Sequence, residues 1–435
     1  MRTYRELFRT PEFTPLLVAS GAHGVAMVVA DLGLATLVYD ATGSPLLSAL
    51  SMFGASIMQV LGATLLLSAA DRVPPRAATT GLALLFGAAS ALQALPGMPV
   101  WAMFAILLAV GPVAALGGGV RYGLLNEILP PDGFLLGRSV LNMANGAAQI
   151  GGFAVGGMLV VALSPRGALL TGAGLDAVAA AAAWFGLSAR PPRAAGRPSA
   201  RETWRVNRVL WASVPRRYVF LALWVPNGLV VGAEALYVPY APDHAGILFA
   251  CAAAGMLVGD TLCGRFVVPR WRERLGPGLR LLLAAPYLVF VFRPPLPLAA
   301  VLVALASVGY AASLLLTERL MALTPPGMSG QALGLHSSGM LAMQGVGAAI
   351  AGGIAQVTSP AAAMTIVAVA SVGVTLALAP GLRGTVPASV GEIPFADAAS
   401  ADSERKTPDS VAEPGLVSGN GGSLPETDVT SERLG

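Results

Sequence analysis

The sequence predicts an all-α polytopic membrane protein of twelve helices in two six-helix bundles, and three observations carry that reading. Twelve apolar runs, each of about the 20 residues that a membrane crossing needs, lie between Phe13 and Pro380. Of the 27 Lys and Arg residues, only Arg166 and Arg293 fall in the connections that alternate crossing puts on the side opposite the N-terminus. Composition is the third: 55% hydrophobic residues, 11% charged residues and a mean hydropathy of +0.69 are far from soluble averages. The basic-residue bias places the N-terminus inside, and an even number of crossings puts the C-terminus there too. Only one of the 27 basic residues is Lys, and Ala and Gly abound. That usage fits a GC-rich genome and a bacterial plasma membrane.

The spans read as 14–39, 46–70, 77–97, 99–121, 135–163, 167–188, 218–240, 245–268, 277–293, 296–318, 330–358 and 360–380. Met1 to Thr10 carries three Arg ahead of the first run, but that run continues past signal-peptide length without a cleavage site, so it is the first membrane helix. Outer turns are short and broken by Pro or Gly, as in Thr42-Gly43-Ser44-Pro45 and Ser164-Pro165-Arg166-Gly167, which stop and restart helices. Residues 190–217, rich in Arg, Pro and Ala, form a cytoplasmic linker between an N-terminal bundle (1–189) and a C-terminal bundle (218–383). Residues 384–435 turn to Ser, Gly, Pro, Asp and Glu, too polar to bury a core, and predict a disordered cytoplasmic tail. Cys251 and Cys263 share one helix twelve positions apart, about 18 Å at 1.5 Å per residue, and cannot pair with each other.

An internal repeat supports the two-bundle reading. Shifting the first half by 195 positions puts Pro130-Pro131 on Pro325-Pro326, Gln149 on Gln344, Gly152 on Gly347 and Gly157 on Gly352. Six crossings separate the copies, so both halves share one orientation, a parallel repeat known among transporters.

Three segments then resemble the major facilitator superfamily, over about 380 residues. The run Ser68-Ala69-Ala70-Asp71-Arg72-Val73-Pro74-Pro75-Arg76 resembles that superfamily's loop between helices two and three, with Ser68 where Gly is usual. Val38-Tyr39-Asp40-Ala41-Thr42-Gly43-Ser44, and Leu125-Asn126-Glu127-Ile128-Leu129-Pro130-Pro131-Asp132 followed by Leu141-Asn142, are similar to the branch of macrolide and siderophore exporters. Gln149 to Leu159 resembles the antiporter motif of the fifth helix, with Gly152-Phe153 where Gly-Pro is usual. The resemblance implies a secondary carrier rocking two bundles around a midplane site, with proton-driven export. It makes Asp71, Arg72 and Arg76 gate residues, with Asp260 and Arg265 as their counterparts in the second half.

Ionisable residues at membrane depth are costly and usually functional. His23 and Asp176 each lie about ten residues into a span, roughly 15 Å deep and near mid-bilayer. A carboxylate out of water is costly to keep charged, so Asp176 is the first candidate to carry a proton, with His23 and Asp31 behind it. The alternative for Asp176 is a structural hydrogen bond to a neighbouring helix, and for His23 plain packing. Asp31 and Glu234, in the outer parts of the first and seventh spans, are cavity candidates that would attract cations, together with Gln149 and Gln344; equally they are wet residues at an outer mouth. Arg121 and Glu127, at the inner end of the fourth span, read as ion pairs between helices or as support for the gate. Gly152, Gly156 and Gly157 flatten the fifth helix for close packing.

Other classes fit poorly. Lys406 is the only lysine, so there is no phosphate-binding Gly-Lys-Ser/Thr loop. His23, His244 and His336 are scattered and make no His-Glu-x-x-His site. We read no enzyme, cofactor, metal or nucleic-acid partner, since the net charge of +4 is spread over inside loops that meet lipid headgroups. The expected function is proton-coupled efflux of a small hydrophobic or amphipathic compound by a monomer. Import of a small solute, or a membrane sensor of the same fold, is the alternative.

Overall fold

The computed structural model describes residues 4–66, 73–192, 200–267, 269–325 and 328–382, and no strand occurs among them. Asp71 and Arg72 lie outside the described residues, as do part of the linker and the tail. The first half runs α1 (Tyr4–Phe8), α2 (Phe13–Thr42), α3 (Pro45–Leu66), α4 (Pro75–Gln93), α5 (Val100–Ile128), α6 (Pro131–Leu163) and α7 (Pro165–Gly186). Proline opens α3, α4, α6 and α7, where its missing N–H has no intrahelical role. Gly43, with φ 63°, ends α2 by donating its N–H to the Tyr39 carbonyl.

The second half comprises α8 (Ala200–Ala212), α9 (Val214–Glu234), α10 (Tyr237–Tyr240), α11 (Ala245–Thr261), α12 (Pro269–Leu282), α13 (Leu296–Val308), α14 (Ala312–Ala322), α15 (Ser329–Val357) and α16 (Pro360–Leu382). Each of the twelve spans read from the sequence has its counterpart. The later ones are built from pieces: α9 breaks before α10, a π-helical turn (Leu262–Phe266) ends α11, and 3-10 turns (Ala285–Phe292 and Gly309–Ala311) follow α12 and α13. Among the described residues, eleven segments are long and apolar enough to cross a membrane. Helix α4, 19 residues long, falls outside that set because Arg76 and Gln93 lower its hydropathy.

Small residues set the packing. Helix α2 lies along α7 and α6, α4 along α7, and α3 along α5; in the second half α9 lies along α15 and α16, and α11 along α13. The halves meet where α3 crosses α15 and α6 crosses α11. Glycines at the repeat positions mark equivalent contacts: Gly152 faces Val28 of α2 while Gly347 faces the Gly228 carbonyl of α9. Gly157 faces Gly246 of α11 while Gly352 faces Leu46 of α3. The 195-residue shift thus carries each fifth-helix contact onto its copy. With α2 taken to run from an inner face to an outer face, the Gly157 and Gly352 crossings lie toward the outer face. There Ser44 Oγ also donates to Gln356 Oε1 at 2.8 Å.

The linker read over 190–217 contains α8. Trp211 at its end stacks on Trp224 with ring centroids 5.6 Å apart. Arg216, only 5% exposed, donates to the carbonyls of Val209, Leu210 and Leu323. It therefore satisfies helix-end acceptors and ties α8 to the end of α14. Cys251 and Cys263 are not joined in a disulfide.

Candidate functional site

Helices α2 and α7 approach closely because a glycine stands on each: Gly33 faces Pro165 and Ala168, and Gly172 faces the Ala26 carbonyl and Ala30. That approach brings His23 Nδ1 to 2.7 Å from Asp176 Oδ1, although 153 positions separate the two residues. Both lie near the middle of their helices, and Asp176 is 1% exposed. Phe86 of α4 sits beside the imidazole, ring centroids 5.4 Å apart. Gly87 backs Asp176 so tightly that a Cβ there would lie 3.0 Å from the Asp176 Cβ.

His23 forms part of the wall of a cavity of about 450 Å³. The cavity lies among α2, α3, α4, α5, α6 and α7, in the parts of those helices nearer the inner face. Met27, Val28, Leu82, Phe86 and Ala114 supply apolar wall, while Ser20, Gln59, Thr79, Arg121, Asn145 and Gln149 supply polar groups. Asp176 is not among the lining residues; it stands behind His23. One apolar cavity with a few convergent polar groups and a buried titratable pair is the arrangement expected of a small-molecule site.

The other residues singled out from the sequence divide. Gln149 and Arg121 reach the cavity, and Arg121 Nη1 donates to Asn145 Oδ1 at 3.4 Å. Asp31 is half-buried on the cavity face of α2, one turn beyond Met27 and Val28. Gln344 is half-buried on α15 and is not among the lining residues. Glu234, 7% exposed at the end of α9, accepts from the Tyr310 hydroxyl at 3.1 Å, and neither residue lines the cavity. Close to it the Tyr237 and Tyr287 hydroxyls meet at 2.5 Å. Tyr310 lies in the 3-10 turn between α13 and α14, so two helix breaks meet at this cluster. Gly156 packs on Val29 of α2.

At the inner face, Arg76 lies over the Trp184 ring, 4.2 Å from its centroid. Asp260 and Arg265 are exposed, with no ion pair between them among the described residues. Glu127 faces Arg190, with Oε2 3.6 Å from Nε. Sequence reasoning missed the partner that completes this group. Glu12 takes a bidentate bond from Arg190, at 2.6 and 2.8 Å, and also accepts from the Ser188 N–H and hydroxyl. Burial lifts the Glu12 carboxyl, but the bonds from Arg190 and Ser188 outweigh it and hold the group below its ordinary value. The signal lay in position: Glu12 immediately precedes the first span and Arg190 follows the sixth on the same side.

No known family pattern and no curated protein sequence matches the chain. Solved structures do. A POT family transporter in complex with a thioalcohol-conjugated peptide is 11% identical, with a TM-score of 0.65 over 86% of this chain and 96% of that one. A bacterial homolog of the human lysosomal transporter Spinster, inward-facing and occupied, is 14% identical, with a TM-score of 0.61 over 88% and 93%. The nucleoside transporter NupG is 14% identical, with a TM-score of 0.63 over 84% and 99%. The chain therefore has the helical, multi-pass fold of major facilitator transporters.

Proposed function

We propose that the chain is a proton-coupled secondary carrier that exports a small amphipathic compound by rocking residues 1–189 against residues 218–383. The observation that carries this reading is the His23–Asp176 pair in the cavity wall. Two titratable groups in contact at mid-depth hold one or two protons between them, and His23 stands between the carboxylate and the space a solute would fill. A proton on the pair leaves an imidazolium beside a carboxylate, neutral as a unit. Without it the unit carries a negative charge, which is costly where no water reaches. Loss or gain of that proton biases which way the bundles face, because a group with two protonation states shifts a conformational equilibrium when its environment differs between the states. Asp71, Arg72 and Arg76 would close one side, with Asp260 and Arg265 in the second half.

The direction rests on the segments Val38 to Ser44, Leu125 to Asp132 and Leu141-Asn142, which resemble exporters. The distribution of basic residues supports cytoplasmic termini, and the preference for Arg over Lys with abundant Ala and Gly supports a bacterial plasma membrane. The test is accumulation of a compound panel in an efflux-deficient bacterium with and without the chain, with Asp176→Asn and a protonophore as arms. Lower accumulation that both arms abolish supports the proposal. Higher accumulation turns it to import, and lowered accumulation that survives both arms removes proton coupling.

A further inference from the structure

We infer that the cavity takes an organic anion: a compound whose negatively charged group docks on Arg121 while its apolar body lies against Met27, Leu82 and Phe86. The inference rests on the carrier reading and narrows its substrate class. Among the described residues lining the cavity, Arg121 is the only one of Asp, Glu, Lys or Arg. Among the described residues its hydrogen bond is the 3.4 Å contact to the neutral amide of Asn145, and no described carboxylate pairs with it. A guanidinium has five donors in a fixed fork, so one long contact to an amide leaves most of its capacity for a ligand. Gln149 and Gln59 line the same space and add neutral amide donors.

Among the described residues, no carboxylate at membrane depth lines the cavity to balance this charge: Asp31, half-buried on α2 one turn beyond Met27 and Val28, is not among the lining residues. Asp176 is bonded to His23, and Glu234 is bonded to Tyr310 and is not among the lining residues. A cationic solute would therefore meet Arg121 across a confined apolar space, and a neutral one would leave the guanidinium without a counter-charge. A carboxylate or sulfonate supplies two acceptors in the geometry the fork matches, and charge-assisted bonds of this kind are the strong ones. The apolar walls then account for the remainder of the ligand.

The probes are 4-phenylbutyrate, 4-phenylbutanol and 4-phenylbutylamine, which share one apolar body and differ in charge. Binding is measured by calorimetry on the purified full-length protein in lipid nanodiscs at pH 7, and flux of each compound in proteoliposomes. The acid should bind about tenfold or more tightly than the alcohol, as a hydrogen bond to a charged group implies, with the amine weakest. Arg121→Gln should bring the acid down to the alcohol or below it, and Arg121→Lys should keep part of the preference. Equal or tighter binding of the alcohol or amine to the unmodified protein overturns the inference, as does an acid preference that survives Arg121→Gln. If that variant does not fold, the ranking of the three ligands on the unmodified protein and on Arg121→Lys decides. Arg121-dependent binding of the acid without flux would overturn the carrier reading and leave the anion site. Flux of the amine or alcohol with no acid preference would do the reverse.

Discussion

Gly87→Ala is a single methyl placed where the structure has no room for it. The added Cβ would lie 3.0 Å from the Asp176 Cβ and 3.3 Å from the Ala173 carbonyl oxygen. Ordinary carbon contacts are about 3.5–4.0 Å, so α4 and α7 must part by roughly half an ångström. Overpacking of this kind costs about 1–3 kcal/mol, against a helix-propensity gain of about 1 kcal/mol for Ala over Gly. The net is a loss of up to about 2 kcal/mol. The same displacement shifts Asp176 relative to His23 and so disturbs their 2.7 Å bond, which needs a heavy-atom distance below roughly 3.2 Å. Gly81→Ala, six residues earlier on α4 with nothing within 4 Å of its Cβ, is the matched control and should be neutral or slightly stabilising. Thermal unfolding in detergent and the accumulation assay read both effects. If Gly87→Ala unfolds no earlier than Gly81→Ala and transports like the unmodified chain, the packing argument for Asp176 is wrong.

The inner-face group responds to pH with a defined sign. Glu12 is held below its ordinary 4.5, so its pairing stabilises the fold above that value and is lost as pH falls through the lower folded value. The pair is partly exposed, so the loss is about 0.5–1 kcal/mol, measured as a difference in unfolding temperature between the unmodified chain and Glu12→Gln that disappears on acidification. Gly347→Ala would place a Cβ against the Gly228 carbonyl, forcing α9 and α15 apart; we expect a loss of about 3 kcal/mol or more, read as failure to purify as a monodisperse peak. Tyr310→Phe leaves the Glu234 carboxyl buried without its donor, costing about 1–3 kcal/mol, and unfolding temperature again reports it; an unshifted value would mean that water or another group already serves Glu234.

Most of the helices were legible because the bilayer imposes length and apolarity on each one, and because Pro45, Pro131, Pro165 and Pro360 sit at helix starts. Helix α8 was hidden by its Arg-rich polar face, which reads as loop when only apolar runs are sought. The breaks near Glu234 and Tyr310 come from tertiary packing: Gly309 sits on the Leu283 backbone, and Tyr310 turns toward Glu234. Nothing within either segment announces that. For the candidate site, depth alone singled out His23 and Asp176. Their contact depends on how α2 packs on α7, which a single sequence does not reveal. Glu234 was read with Asp31 by helix equivalence, but a buried tyrosine cluster takes it up.

The central claim is that the His23–Asp176 pair carries the coupled proton. The direct test uses proteoliposomes loaded with whichever compound the accumulation panel identifies, comparing uphill flux driven by a pH gradient with exchange of labelled for unlabelled compound at equal pH. Asp176→Asn should abolish the uphill flux while leaving exchange and binding within about twofold, as expected when a proton site but not the substrate site is removed. Uphill flux that persists in Asp176→Asn would contradict the account and return the pair to a structural hydrogen bond between two helices.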